Sequence, residues 1–164
     1  MSCNILGKIC TRSANRIPLP IDLTDFCERR WDAKRGAGIY ETGEFVRPTP
    51  ANRTGYHYEC TTAGQVGVTE PRWPIAVDTT VQDGSAVWTC RAIGNQSLTK
   101  TIDAAEWDGD GFTVEDETVI STAGRQLVTA FVTGEQPRGK YVVQVEVEFS
   151  DGHIDTFGIV VKIE

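Results

Sequence analysis

The clearest periodic run in the chain is YVVQVEVEFS, beginning at Tyr141. Tyr141, Val143, Val145, Val147 and Phe149 share one parity, and Gln144, Glu146, Glu148 and Ser150 the other. A period of two is that of a strand with one face buried and one face wet. Ser150, Asp151, Gly152 and His153 form a turn signal, after which IDTFGIVVKIE returns as a second strand. Upstream, TKTIDAAEW, DGFTVEDETVIST and RQLVTAFVTGE carry the same signature. The segment from about Ser97 onward therefore reads as about six short strands with tight turns, and an antiparallel β-sandwich with an immunoglobulin-like look is its economical architecture.

Between Gly38 and that segment the strands are shorter and the turns closer. IYETGEFVRP predicts strand, turn at Thr42 and Gly43, and strand; GYHYECTT alternates; SAVWTCRAI returns as a strand after the turn signal Asp83-Gly84. A long Gly- and Pro-rich loop, AGQVGVTEPRWPIAVDTTVQDG, separates the last two. A module of roughly fifty residues has little core to spend, so Tyr40, Tyr56, Tyr58, Trp73 and Trp88 supply much of it. Trp73 lies between Pro71 and Pro74, which pre-set the backbone, and is expected to turn inward against Tyr58 or Trp88.

The first 38 residues follow neither pattern. A polar start leads into IPLPIDL, where Pro18 and Pro20 force an extended path without donors, unsuited to the centre of a sheet. In DLTDFCERRWDAKRG, Leu23, Phe26, Cys27 and Trp31 fall at helical spacing, Asp22 or Thr24 offers a cap, and Gly36 an end, which predicts one amphipathic helix of two to three turns. With so little apolar period before it, the segment reads as an arm that orders on a neighbour through Ile17, Leu19, Ile21, Phe26 and Trp31. The expected organisation is all-β: an N-terminal arm with one short helix over 1–38, a small aromatic β-module over 39–96, and an Ig-like antiparallel β-sandwich over 97–164.

Charge sharpens the division. The chain's net charge is −7, and residues 99–164 hold 5 basic against 13 acidic residues. Nucleic-acid backbones are bound by surplus Lys and Arg, so this balance argues against DNA or RNA as partner. No run approaches the length of a membrane span, and MSCNILGKICTRSANR lacks the apolar core of a signal peptide, which predicts synthesis in the cytoplasm and no membrane partner. Five cysteines, an odd number with no Cys-x-x-Cys, read as reduced thiols. His57 and Cys60 stand three apart with Cys27 and Cys90 elsewhere, but the second tight ligand pair of a zinc site is missing, so no metal or other cofactor is expected.

Catalysis finds no complete set. His57 falls in a strand and His153 in a turn, neither beside a nucleophile or metal motif. The run Trp107-Asp108-Gly109-Asp110-Gly111 lacks the later ligands of a calcium loop and reads as a plain turn. Carboxylates are numerous, but number is not geometry.

Two stretches carry a resemblance. Tyr40, Gly43, Val46 and Pro48, then Tyr58, Cys60, Thr61, Gly64, Gly67, Glu70, Pro71, Trp73 and Pro74, and finally Val81, Asp83, Gly84 and Trp88 resemble a short aromatic module of tailed-bacteriophage virion proteins, with a departure at Glu44, where that module often has Asp. Ile102, Ala105 and Trp107, with Gly139, Tyr141, Val143, Val145, Ser150 and Gly152, resemble a small Ig-like module of phage structural proteins. The resemblance implies a non-enzymatic component of the virion, first of all a capsid decoration protein on the shell and next a neck, tail or fibre adaptor. Its implied partners are the major capsid protein or neck and tail proteins of the same virion, and its implied state is a homo-oligomer. Similar aromatic modules occur in carbohydrate-binding domains, so the alternative is a receptor- or glycan-binding module of a fibre, with Tyr56, Trp73 and Trp88 as stacking platforms for sugar rings.

Overall fold

The computed structural model describes residues 4–11, 16–33 and 38–164, and it is all-β apart from one short helix. Two compact units are present, and they divide the chain differently from the three-part expectation. Residues 1–24 and 100–164 form the first unit and residues 25–99 the second, so the second unit is an insertion between two halves of the first.

In the first unit the strands are β1 (Asn4–Thr11), β2 (Ile17–Asp22), β9 (Ile102–Asp108), β10 (Thr113–Thr122), β11 (Arg125–Thr133), β12 (Gly139–Phe149) and β13 (Ile154–Ile163). They make a four-stranded sheet in the order β1-β13-β12-β9 and a three-stranded sheet in the order β10-β11-β2. The alternation read in YVVQVEVEFS holds: Val143, Val145, Val147 and Phe149 are buried, as are Phe157, Ile159, Val161 and Ile163 on β13. Gly152, at φ +78°, closes the β12–β13 turn where Asp-Gly placed it. The sheets are antiparallel except along β1, which runs parallel to β13. The segment from Ser97 supplies five strands rather than about six. The Trp107–Gly111 run ends β9 in a turn, with the Asp110 amide donating to Asp108 Oδ1 at 3.1 Å.

The arm expectation needs correction. Ile17, Leu19 and Ile21 do not lie open for a neighbour; all three are buried on the inner face of β2, opposite Val132, Ala130 and Val128 of β11. The physical reason is the alternation inside IPLPIDL itself, with burial falling on every second residue. Pro18 and Pro20 occupy the outward parity of an edge strand, where a missing N–H breaks no rung of the ladder. The edge placement is the one the prolines predicted.

The expected helix of two to three turns is a single turn, α1 (Thr24–Cys27), with the Thr24 amide bonded to Asp22 Oδ1 at 2.9 Å. Its proposed end at Gly36 lies outside the described residues. Beyond Cys27 the backbone bonds sideways instead of along a helix. Arg29 N–H donates to Ser97 O, Trp31 N–H to Arg47 O and Arg47 N–H to Arg29 O. Lateral pairing within the second unit overrides a helical propensity worth only tenths of a kcal/mol per residue.

The second unit holds β3 (Ile39–Tyr40), β4 (Phe45–Val46), β5 (Tyr56–Thr62), β6 (Gly64–Gln65), β7 (Thr80–Asp83) and β8 (Ala86–Ala92). Its main sheet runs β4-β5-β8-β7, with β3 and β6 forming a separate pair. The Thr42-Gly43 turn is present, but the segments it joins pair with β6 and β5 rather than with each other. The Asp83-Gly84 hairpin forms as read, with Gly84 at φ +62° and its Cα so near Gln65 O that a Cβ would stand at 2.2 Å. Among the described residues no helix is long and apolar enough to cross a membrane.

Candidate functional site: a clamped loop on the aromatic unit

Why so many aromatics sit near one loop is answered by the core of the second unit. Trp31, Tyr40, Val46, Tyr58, Cys60, Val66, Trp73, Ala86, Trp88 and Cys90 pack into one cluster. Trp73 lies between Tyr58, at a centroid distance of 4.3 Å, and Trp88, at 5.9 Å and 68°. Tyr40 meets Trp88 edge-on at 4.9 Å. Such geometries add to the area that the rings bury.

Each indole N–H in a dry core needs an acceptor, and two carboxylates supply them. Asp83, itself buried, accepts from Trp31 Nε1 at 2.7 Å, from Trp88 Nε1 at 3.2 Å and from the Gly67 amide at 2.7 Å. Glu70 accepts from Trp73 Nε1 and the Thr49 amide on Oε1, at 2.7 and 2.8 Å, and from Thr49 Oγ1 and Asn52 Nδ2 on Oε2, at 2.5 and 2.6 Å. Burial alone would push the Glu70 carboxyl up, but the bonds from Thr49, Asn52 and Trp73 outweigh it and hold the group below the ordinary glutamate range.

These bonds clamp residues 66–79, which run from β6 to β7 without regular secondary structure. Val66 is held by Gly38 O, Gly67 by Asp83, Trp73 by Glu70, and the Pro74 carbonyl by Tyr58 Oη at 2.7 Å. At the far end the Asp78 amide bonds Cys90 O, and Arg91 reaches both Asp78 and Glu59. Burial pushes the Tyr58 phenol up to about 12, so it stays a donor throughout the physiological range. The outer side of the same loop mixes exposed apolar residues with the exposed Thr69, Arg72 and Asp78. Val68 is 95% exposed, Ile75 71% and Val77 48%.

The expected sugar platforms are corrected by this packing. Trp88 and Trp73 are buried, Trp88 completely, and a ring whose faces are covered by Tyr40, Tyr58 and each other has none left for a sugar. Tyr56 is half-buried and packs against the same cluster. Of the docking residues, Trp31 is also in the core, while Phe26 is 42% exposed on α1. The five docking residues are therefore not brought together as a surface.

The remaining chemistry is structural in its surroundings. His57 and Cys60 differ by an odd number of positions on one strand and so face opposite sides of the sheet. His57 Nδ1 lies 3.2 Å from Ser97 Oγ with its ring on Phe45, and burial, then the charge of Arg47, lowers its pKa. Cys27, Cys60 and Cys90 are buried, and burial pushes the Cys60 thiol up to about 11. The side chains of Cys3 and Cys10 lie outside the described residues. Among the described residues no group of three or more His, Cys, Asp or Glu side chains is placed to hold a metal ion. Arg47 is buried 3.5 Å from Glu28, and Arg30 joins Glu28 at 3.6 Å and also reaches Asp25.

Sequence reasoning placed Glu70 and Asp83 in a motif and a turn without assigning their bonds. The usable signal was an acid near each of several tryptophans that must bury an N–H. Val68, Ile75 and Val77 gave no period to read, since a loop has none. No family model matches the chain, and no curated protein or solved structure does.

Proposed function

We propose that this chain is a non-enzymatic structural component of a tailed-phage virion, a capsid decoration protein first and a neck, tail or fibre adaptor second, which docks through the loop of the aromatic unit. The observation that carries this reading is the contrast across residues 66–79: bonded on the inside at Gly67, Trp73 and Pro74, with Val68, Ile75 and Val77 open on the outside among the exposed Thr69, Arg72 and Asp78. Exposed apolar side chains grouped on one element mark an interaction surface more often than chance scatter does. A loop already held in one conformation gives up little entropy when it docks, which suits a protein that must occupy many equivalent positions on a shell. The partner is the major capsid protein or a neck or tail protein of the same particle, and the site of action is the virion.

Two measurements test this. Mass spectrometry of purified virions should find the protein at a fixed ratio to the major capsid protein; absence from the particle ends the proposal. Adding purified Val68→Asp/Ile75→Asp protein to particles that lack the chain should give occupancy well below that of the unaltered protein. Equal occupancy would remove the loop from the docking surface.

A further inference from the structure

Inside the clamped loop one residue holds a backbone conformation that its side chain disfavours. Ala76, Val77, Asp78 and Thr79 close a turn, with the Thr79 amide donating to Ala76 O at 3.2 Å and Thr79 Oγ1 donating to the same carbonyl at 2.5 Å. Asp78 stands at φ +65° and Val77 before it has negative φ, the pattern of a type II turn, whose third position ordinarily takes Gly or Asn. Glycine fills the other left-handed positions of this unit, at Gly38, Gly43 and Gly84. For residues with a Cβ that backbone costs a factor of ~5–30 in population, and Asn and Asp bear it best. It persists where the surroundings over-determine it. Here the Asp78 amide donates to Cys90 O at 2.9 Å, the Asp78 carboxylate accepts from Arg91 Nη1, and Arg91 Nε is fixed in turn by Glu59 Oε2 at 2.8 Å. Arg91 lies on β8 and Glu59 on β5, so the turn is tied to the two central strands of the main sheet. The corner of the turn is Val77, and Ile75 directly precedes it, both exposed.

We infer that Asp78 is the positioning residue of the docking loop: its left-handed backbone, braced by Arg91 and Glu59, sets Val77 and Ile75 in the arrangement that meets the partner. This rests on the reading that the loop docks, and it names what fixes the part of the loop that follows the inner clamp. The bonds at Trp73 and Pro74 hold the middle of the loop, those at Asp78 and Thr79 hold its end, and Ile75 and Val77 lie between the two anchors. A turn already in its bound form docks with every copy, whereas one that samples other conformers docks only with the fraction that is correctly set. The side chains of Arg91 and Asp78 are 35% and 73% exposed, so their ion pair by itself is a small brace. The larger requirement is the backbone one, which makes the residue type at position 78 matter more than its charge.

The test compares full-length Asp78→Asn, Asp78→Gly, Asp78→Val and Arg91→Ala with the unaltered chain. Occupancy of particles that lack the chain is titrated for each, circular dichroism checks the fold, and hydrogen exchange of the Thr79 amide reports opening of the turn. Asn and Gly accept the left-handed backbone and should dock within ~3-fold of the unaltered chain. Val is β-branched and accepts it least, so Asp78→Val should dock at least ~10-fold more weakly, with Thr79 exchanging at least ~10-fold faster. Arg91→Ala removes only the brace and should cost ~2–5-fold. If the Val variant fails to fold, Asp78→Ala repeats the comparison with an expected loss of ~5-fold. A folded Val or Ala variant that docks like the unaltered chain overturns the inference. So does an equal loss in the Asn, Gly and Val variants, which makes the Asp78 carboxylate itself the contact. Failure of the docking reading looks different: the unaltered chain leaves the particles empty, or Val68→Asp/Ile75→Asp fills them as well as the unaltered chain does, and the inference falls with it.

Discussion

Trp31 and Asp83, 52 residues apart, are joined inside the aromatic unit by a 2.7 Å hydrogen bond from the indole Nε1 to the carboxylate Oδ2. The same carboxylate holds Trp88 and the Gly67 amide, so one side chain ties the segment after α1, the β7–β8 hairpin and the start of the clamped loop.

Removing that carboxylate strands three donors in a dry core. Asp83→Ala should destabilise the aromatic unit by about 3 kcal/mol or more, since each orphaned buried donor costs ~1–3 kcal/mol. Asp83→Asn keeps the shape but turns an N–H₂ toward donors, and should be nearly as harmful. Urea unfolding followed by tryptophan fluorescence measures both; an Asn variant as stable as the unaltered protein would show that shape, not acceptor number, matters at this position.

Glu70 makes the loop sensitive to acid. Its folded pKa lies below the ordinary one, so its contribution is complete above the unfolded glutamate pKa and is lost as pH falls through the depressed folded value. Trp73 emission should therefore change on acidification below the ordinary glutamate range. In Glu70→Gln that transition should vanish while the loop is already loosened at neutral pH.

His57 acts at higher pH. Burial and Arg47 lower its folded pKa, so between the ordinary histidine value and that lowered value the unfolded chain binds the extra proton. Stability is then full above the ordinary histidine range and falls as pH drops through it, flattening once the folded pKa is passed. His57→Gln should remove the slope in that window, read from melting temperatures taken at closely spaced pH values.

The strand β2 belongs to the first unit's core, and its removal should be felt there. Leu19→Ala should cost about 2–5 kcal/mol, the range for truncating a buried leucine. A chain lacking residues 1–21 should lose cooperative unfolding of the first unit, because Val128, Ala130 and Val132 would be uncovered. A truncated protein with unchanged stability would return this segment to the status of an arm.

What could be read in the sequence was whatever repeats at short range. The β12–β13 hairpin, the Asp83-Gly84 turn, the edge position of the proline strand and the inward Trp73 each follow from a local pattern with a local cause. Long-range partners did not show. Ile17, Leu19 and Ile21 have the alternation of a strand, but the strand that accepts them, β11, begins more than a hundred residues later. Buried Gln126 escaped for the same reason: its side chain accepts from the Ile102 amide and Ser121 Oγ and donates to Thr122 O, and nothing in RQLVTAF announces those bonds. The helix was overread because Leu23, Phe26, Cys27 and Trp31 fit a period of 3.6 by apolarity alone, while Trp31 was claimed by Asp83.

The parallel course of β1 beside β13 has a mechanical consequence. Asn4 begins one strand and Ile163 ends the other, so these points lie at opposite ends of the paired ladder. Tension drawn between them pulls the two strands past each other lengthwise, and the rungs share the load together instead of opening one by one as in a zipper. Resistance to stretching is set by the rate at which that whole ladder slips, a kinetic quantity separate from the equilibrium stability of either unit.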